Sequence, residues 1–472
     1  MMNRSFILIL STSLLLVFPG ITGFSQVQNA LPGCDNPISL IECLEQALQT
    51  NPKLLSRSDE SEAAEKRRAI AQSARLPRIR AEETFTRLRE PLGFALPGAP
   101  TQISLGDDRI QVKTLRVSQP LYTGGKIENG IRAASSEVRV RRFGEMQQRE
   151  DLARQVTEAY FGVMIAKAFQ QVASQALFDT IGHEKQVETL HQFGTVVRND
   201  ILKIQVSVSE RRENLIRASN SSIMACTVLS NLVGYEIPSD AVLEDFSFST
   251  PAPADEKESL TIASSGHPLL KALRETQRLH RFAARSARGD LLPNVGLLWN
   301  LNSGSQLNET QSNWDATIYV GLNLFDAGEA RSRANESRAN LAKASHDLES
   351  MQLDIALAVR QAKLQMGEAD SRLRVATEAE AQAAESMRLT DESFKSGAAT
   401  SQSLLDEESA LVAARQRRIA AGFDRKLAET RLWSAMGCLE KALFGSEAAK
   451  EHLPSISPET IGIQRPGKDH HQ

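Results

Sequence analysis

Aromatic residues are scarce in this chain: Phe, Trp and Tyr make up 5% of its 472 positions. A large aromatic core is therefore a poor fit, whereas the wealth of Ala, Gln, Glu, Arg and Ser suits long helices. An excess of one charge is missing too. The formal net charge is −3, so no basic surface argues for nucleic acid. Beyond the N-terminus there is no apolar run long enough for a transmembrane helix. Disorder is equally unsupported, because 41% of residues are apolar and they recur periodically. Catalytic chemistry leaves no trace. The four cysteines, eight histidines and the acids show no nucleophile–base or metal-ligand spacing. Gly124-Gly125 lacks the Lys-Ser/Thr ending of a phosphate loop and reads as a strand-to-helix turn. No enzyme, no cofactor and no metal site is expected, and Asp469-His470-His471 reads as part of a polar tail.

What is present begins with an export signal. Asn3-Arg4, an apolar run from Phe6 to Phe18, Pro19-Gly20 and small residues near Gly23 and Ser25 fit a secretory signal over residues 1–25. The run is shorter than the ~20 residues of a helical span, which argues against an anchor. Leu31-Pro-Gly-Cys34 resembles a lipoprotein cleavage site, and a Cys34–Cys43 disulfide is the competing reading. Cys226 and Cys438 fall in helical patterns and read as buried thiols.

The rest is written twice. Asn51-Pro52 recurs as His267-Pro268 and Leu76-Pro77 as Leu292-Pro293, both displaced by 216 positions (268 − 52, 293 − 77). Gly125 recurs as Gly328, Gly194 as Gly397, Arg212 as Arg415 and Gly234 as Gly437, each displaced by 203 (328 − 125, 397 − 194, 415 − 212, 437 − 234). One variable loop between Pro77 and Tyr122 accounts for the change of step. The copies are read as residues 38–236 and 259–438, joined by a proline-rich, acidic linker at 237–258 and followed by a flexible tail at 446–472.

Each copy opens with short helices that stop at a Leu-Pro pair, since the residue before proline leaves the helical region. A period of two follows. Val295, Leu297, Trp299 and Leu301 alternate with polar or small neighbours. After a polar stretch read as a loop, Ser303 to Asn313, so do Trp314, Ala316, Ile318, Val320, Leu322 and Leu324. Strands are expected at about 295–301 and 314–324, and in the first copy at about 79–90 and 110–121. The period then returns to helix. Leu152, Val156, Ala159, Val163, Ala166, Ala173 and Leu177 form one seam, and Phe161, Ile165, Ala168 and Val172 a second beside it. A helix of about 65 residues is about 100 Å long, and two seams call for neighbours on both sides. It ends at Gly194 in one copy and Gly397 in the other, and a shorter helix returns.

Two copies supply only four amphipathic strands. These cannot close in lipid, where an open edge is not tolerated and barrels begin at about eight strands. Several chains would have to share one barrel, and three would give 12 strands (3 × 4). Trp299 and Trp314 suit its aromatic girdle.

In these features the chain resembles the TolC-like outer-membrane efflux protein family. The marks are Leu40-x₃-Leu44-x₂-Ala47-Leu48-x₂-Asn51-Pro52, the Leu-Pro before each strand pair, Pro120-Leu-Tyr-x₂-Gly125 and Phe394-x₂-Gly397-x₇-Leu405-Asp406-x-Glu408-x₂-Leu411-x₃-Arg415. The resemblance implies a mainly α fold with β: a duplicated helix-strand-strand-long helix-helix unit. It also implies a homotrimer with a 12-stranded β-barrel in the outer-membrane lipid, continued by a periplasmic α-helical barrel. Such a duct would pass substrates on from a periplasmic adaptor (membrane fusion protein) and an inner-membrane transporter. It further implies adaptor contacts at the hairpin tips, Gly194, Thr195, Gly397 and Ala398, and a periplasmic aperture ringed by Asp200 and Asp406. Two positions depart from the family pattern: Ser403 stands where the repeat places a second-copy acid, and Ala399 where some members carry arginine. The competing reading is a periplasmic coiled-coil adaptor or scaffold without a pore; it would need one hairpin and no duplicated strand pairs.

Overall fold

The computed structural model describes residues 37–89, 93–94, 103–104, 108–194, 196–248, 251–306 and 309–448. The expected signal segment, Cys34, Thr195 and the tail from 449 onward lie outside the described residues.

Helix α1 (Leu40–Thr50) starts at Ser39, whose hydroxyl accepts from the Glu42 amide at 3.1 Å while Glu42 accepts from the Ser39 amide at 3.2 Å. Its apolar stripe, Leu40, Cys43, Leu44 and Ala47, is buried. Asn51 caps α2 (Pro52–Ser73) through Lys53 N at 3.1 Å, with proline in the first turn where no amide is needed. His267 does the same for α6 (Pro268–Arg288), accepting from Leu269 N at 3.2 Å. That bond needs a neutral imidazole, and burial followed by the nearby Lys271 charge holds the His267 pKa down at about 4.

Strands β1 (Arg78–Arg87) and β4 (Arg109–Tyr122) flank a short pair, β2 (Gly93–Phe94) and β3 (Ile103–Ser104). The second strand pair is β5 (Asn294–Gln306) and β6 (Glu309–Gly321). All four long strands form one antiparallel sheet in the order β1-β4-β5-β6. Helix α3 (Lys126–Gln192) and helix α7 (Glu329–Lys395) each run for 67 residues, about 100 Å at 1.5 Å per residue. Each turns back into a shorter helix, α4 (Arg198–Val233) and α8 (Ser401–Ala435). Helix α3 packs along α4, α6, α2 and α8, which is the use of its two seams; α7 packs along α8 and α6. Helices α5 (Glu256–Gly266) and α9 (Leu439–Ala448) and a 3-10 turn at Gly289–Leu291 complete the described elements. The main core gathers α1, the middle of α3 and the far ends of α4 and α8, around Tyr160, Phe161, Leu229 and Leu432.

Three expectations are corrected. The stretch Ser303 to Asn313 is not a loop: β5 runs to Gln306, β6 starts at Glu309, and the two pair through to Gln306↔Glu309. Ladder bonds are made by backbone, so polar side chains did not stop the strand. At the other end β6 stops at Gly321 rather than 324, because Asp326 accepts from Gly328 N at 3.0 Å and Ala330 N at 2.9 Å and turns the chain into α7. The stretch 237–258 is not a bare linker. Ile38 N donates to Val242 O at 2.8 Å, Glu244 N donates to Ile38 O at 3.0 Å, and α5 already begins at Glu256. Cys43 is a free thiol with no exposed surface, its pKa raised to about 11 by burial, and the two readings of Cys34 lie outside the described residues. Cys226 is buried as expected, while Cys438 is partly buried in the turn between α8 and α9.

Candidate functional site

The two hairpin ends lie together. Gly194, between α3 and α4, has φ +76°, and Gly397, between α7 and α8, has φ +80°. Only glycine takes that conformation without a cost of about 1–2 kcal/mol. Gly194 N bonds His191 O at 2.8 Å, and Ala398 N and Ala399 N both bond Ser393 O, at 2.8 and 3.1 Å. Thr400 then caps α8 through Ser403 N at 3.1 Å. Behind the turns, Val187, Ile204, Phe394, Leu404 and Leu405 form a small separate core that joins both ends. Phe193, at the first turn, is 80% exposed, and Val197 beside it is exposed as well.

The two candidate acids are each held by their own helix. Asp200, in the first turn of α4, lies 3.8 Å from Lys203 Nζ. Asp406, on α8, accepts from Gln402 Nε2 at 2.9 Å. Among the described residues no group of three or more His, Cys, Asp or Glu is placed to hold a metal.

A third acid near the tips stands in a different environment. Glu408 is 3% exposed, with Oε1 2.5 Å from Thr180 Oγ1 on α3 and Oε2 without a partner. Burial raises its pKa, against the hydrogen bond from Thr180 and the charges of Arg211 and His183. Its sequence signal is an acid inside an apolar helical stripe, Leu404, Leu405, Glu408 and Leu411, all buried.

The sheet has two unlike faces. Ile79, Val117, Trp299 and Ala316 lie in one cross-strand row, and Ala81, Leu115, Leu301 and Trp314 in the next. Trp299 and Trp314 thus share the apolar face on neighbouring rows, with Trp314 65% exposed. The opposite face carries the row Arg80, Arg116, Asn300 and Asp315. There Arg116 Nε donates to Asn300 Oδ1 at 3.0 Å, and Asn300 Nδ2 donates to Asp315 Oδ2 at 2.9 Å. Among the described residues the edges β1 and β6 have no strand beside them.

A family profile described as outer membrane efflux protein matches residues 43–235 and 260–438. The alkaline protease secretion protein AprF of Pseudomonas aeruginosa is 26% identical over 423 residues, covering 86% of this chain and 85% of that protein. The outer membrane efflux protein BepC of Brucella suis biovar 1 is 24% identical over 415 residues, covering 84% and 86%. In fold, the outer membrane protein VceC of Vibrio cholerae matches with a TM-score of 0.74 at 16% identity, over 84% of this chain and 96% of that one. With the profile spanning both halves, the chain belongs to the outer membrane efflux protein family and is an outer-membrane exit duct of efflux or secretion systems.

Proposed function

We propose that three copies of this chain form the duct, sharing one barrel of 12 strands (3 × 4) that continues into a periplasmic barrel of helices. The open edges of the four-stranded sheet carry this reading. Four strands cannot close, and an open edge is not tolerated in lipid. Every neighbouring pair in β1-β4-β5-β6 is antiparallel, so β1 and β6 also run opposite to each other. A β6 set beside the next copy's β1 therefore continues the antiparallel pattern without a break. The helices support the same arrangement. Leu202, Val206, Ile216 and Ile223 on α4, and Leu353, Leu357, Leu364 and Val375 on α7, are exposed in the single chain. Apolar seams of that length call for a partner helix.

In this assembly the apolar sheet face meets lipid with Trp299 and Trp314 in its girdle, and the Arg80–Asp315 row lines the lumen. The hairpin ends at Gly194, Thr195, Gly397 and Ala398, with exposed Phe193, point into the periplasm and receive an adaptor that links the duct to an inner-membrane transporter. Asp200 and Asp406 ring the aperture. One relative is named for protease secretion and another for efflux, so the shared duct does not select the cargo and the transporter does. A pore-less adaptor has no use for an amphipathic sheet with two bare edges. Native mass spectrometry in detergent is expected to give a trimer that conducts in planar bilayers; a stable, conducting monomer would overturn the assembly.

A further inference from the structure

The Thr180 hydroxyl has one hydrogen for two contacts, and only a protonated Glu408 supplies the second. Thr180 is fully buried, and its Oγ1 lies 2.8 Å from the Ala176 carbonyl and 2.5 Å from Glu408 Oε1. A hydroxyl has one hydrogen, and a carbonyl oxygen can only accept. With that hydrogen given to Ala176 O, the Glu408 contact needs a hydrogen from Glu408 itself. The other carboxyl oxygen agrees: Glu408 Oε2 is buried with no partner. A bare buried oxygen is costly on a carboxylate and much less so on a neutral acid. Burial also pushes the Glu408 pKa up.

The surroundings offer the ionised form a different partner. On α4, Arg211 reaches across to α8, its Nη2 donating to Ser409 Oγ at 2.7 Å, while its buried Nε has no partner. The charges that act on Glu408 are Arg211 from α4 and His183 and Asp179 from α3; the first two favour ionisation and Asp179 opposes it. On α7, Glu385 and Glu392 are paired with Arg388, and Asp391 with Lys395. On α8 itself Asp406 is held by Gln402. Thr180 and Glu408 stand close behind the small core at the hairpin ends and connect one hairpin to the other.

We propose that Glu408 is a proton-operated latch between the two hairpins: protonated, it donates to Thr180 and holds α8 on α3; ionised, it leaves Thr180 for the Arg211 guanidinium on α4. The proton lost goes to water, and no covalent bond changes. The latch is closed at low pH and opens as pH rises through the elevated Glu408 titration. It rests on the reading of these hairpin ends as the periplasmic mouth of the duct, which it would regulate.

The test does not depend on conduction. Spin labels at Gly182→Cys on α3 and Ala410→Cys on α8 report the distance between hairpins, in a Cys34→Ser, Cys438→Ser, Glu150→Gln background that also removes the second buried acid with a raised pKa. Labelled chains are diluted with unlabelled ones so that each assembly carries one pair. Infrared spectra of the same samples follow the buried carboxylic-acid band. We expect that band to persist to a pH where surface acids are ionised, and the distance to lengthen as the band disappears. Glu408→Gln should lose the band and stay at the short distance at every pH. Thr180→Val, which removes the acceptor of the protonated form, should move the transition to lower pH. Arg211→Gln, which removes the partner of the ionised form, should move it to higher pH. No carboxylic-acid band at rest, or a Glu408→Gln protein that lengthens like the parent, would overturn the latch. A silent bilayer recording would instead strike the duct reading and leave these two readouts standing.

Discussion

Gly124 and Gly289 pass so closely that a Cβ built on Gly124 would stand 2.8 Å from the Gly289 carbonyl oxygen. Gly124 lies in the turn from β4 into α3, and Gly289 follows the end of α6. The crossing is tied by Lys126 Nζ to Asp290 Oδ1 at 2.5 Å and by Ser286 Oγ donating to Lys126 O at 3.0 Å. It joins the exit from the first strand pair to the entrance of the second, and so sets how the sheet is seated on the helices. Gly124 also has φ +61°. Gly124→Ala should therefore cost about 1–2 kcal/mol from the backbone alone, and more through the clash. Its repeat counterpart, Ala327 (327 − 124 = 203), holds φ +52° without being glycine. Ala327→Gly should relieve that strain and gain about 1 kcal/mol. Thermal melting of the detergent-solubilised protein checks both, and melting shifts of the same sign would contradict the account.

The sheet faces give a paired test. Ile318 lies beside Leu297 on the apolar face, and Thr317 lies on the opposite one. Ile318→Arg at mid-barrel should cost about 2–4 kcal/mol, seen as loss of membrane-assembled protein. Thr317→Arg should assemble normally. Equal tolerance of the two would mean that the lipid face has been misassigned.

Much of this was legible in the sequence, and what was hidden has physical reasons. Asn51-Pro52, His267-Pro268, Gly194 and Gly397 mark helix ends because cap, proline and left-handed glycine are local chemistry. The alternation from Trp314 to Val320 was readable because one face of that stretch is apolar. Beyond it Ser303 pairs with Ser312, and both faces are polar, so the period-two signal vanishes while the backbone ladder continues. Prolines and acids concealed the packing of residues 237–248, where Ile237 is buried and Phe246 and Phe248 meet edge to face at 5.3 Å. The placement of β4 beside β5 joins residues nearly two hundred positions apart, and no local pattern encodes it. The stripe Leu404, Leu405, Glu408 and Leu411 marks Glu408 as buried, but its partner Thr180 lies on α3, 228 positions away, and no local pattern encodes that contact.

A second buried acid predicts a pH dependence elsewhere. Glu150 on α3 caps α9, its Oε2 accepting from Leu439 N at 2.8 Å and Glu440 N at 3.4 Å. Burial, and then the charge of Glu440, raises its pKa to about 7. A carboxyl with a raised folded pKa binds its proton more tightly in the folded state. Its stabilising effect is complete below the usual carboxylate range and is lost as pH rises through about 7. Melting temperature should therefore fall across that window. Glu150→Gln keeps an acceptor for both amides and has no charge to bury, so it should flatten the fall. An unchanged pH profile in this variant would assign the dependence to other groups.

The aperture prediction rests on two acids whose helices hold them only loosely. Asp200 is 3.8 Å from Lys203 and Asp406 is bonded to Gln402, and among the described residues neither has a partner across the hairpin that would fix it structurally. In a trimer whose hairpin ends taper, six such carboxylates converge on the axis, and a ring of like charge attracts cations and repels anions. The Asp200→Asn, Asp406→Asn double variant should lose cation selectivity, and lose block by multivalent cations, in planar-bilayer recordings. Trimer stability should hardly change, since solvent-facing pairs of this kind contribute about 0–1 kcal/mol. Glu408→Gln offers the contrast: as a neutral replacement at a buried site, it should leave selectivity intact. If the double variant keeps its selectivity while its trimer weakens, Asp200 and Asp406 are ordinary acids near the starts of α4 and α8, where the helix dipole favours them, and the constriction lies at other residues.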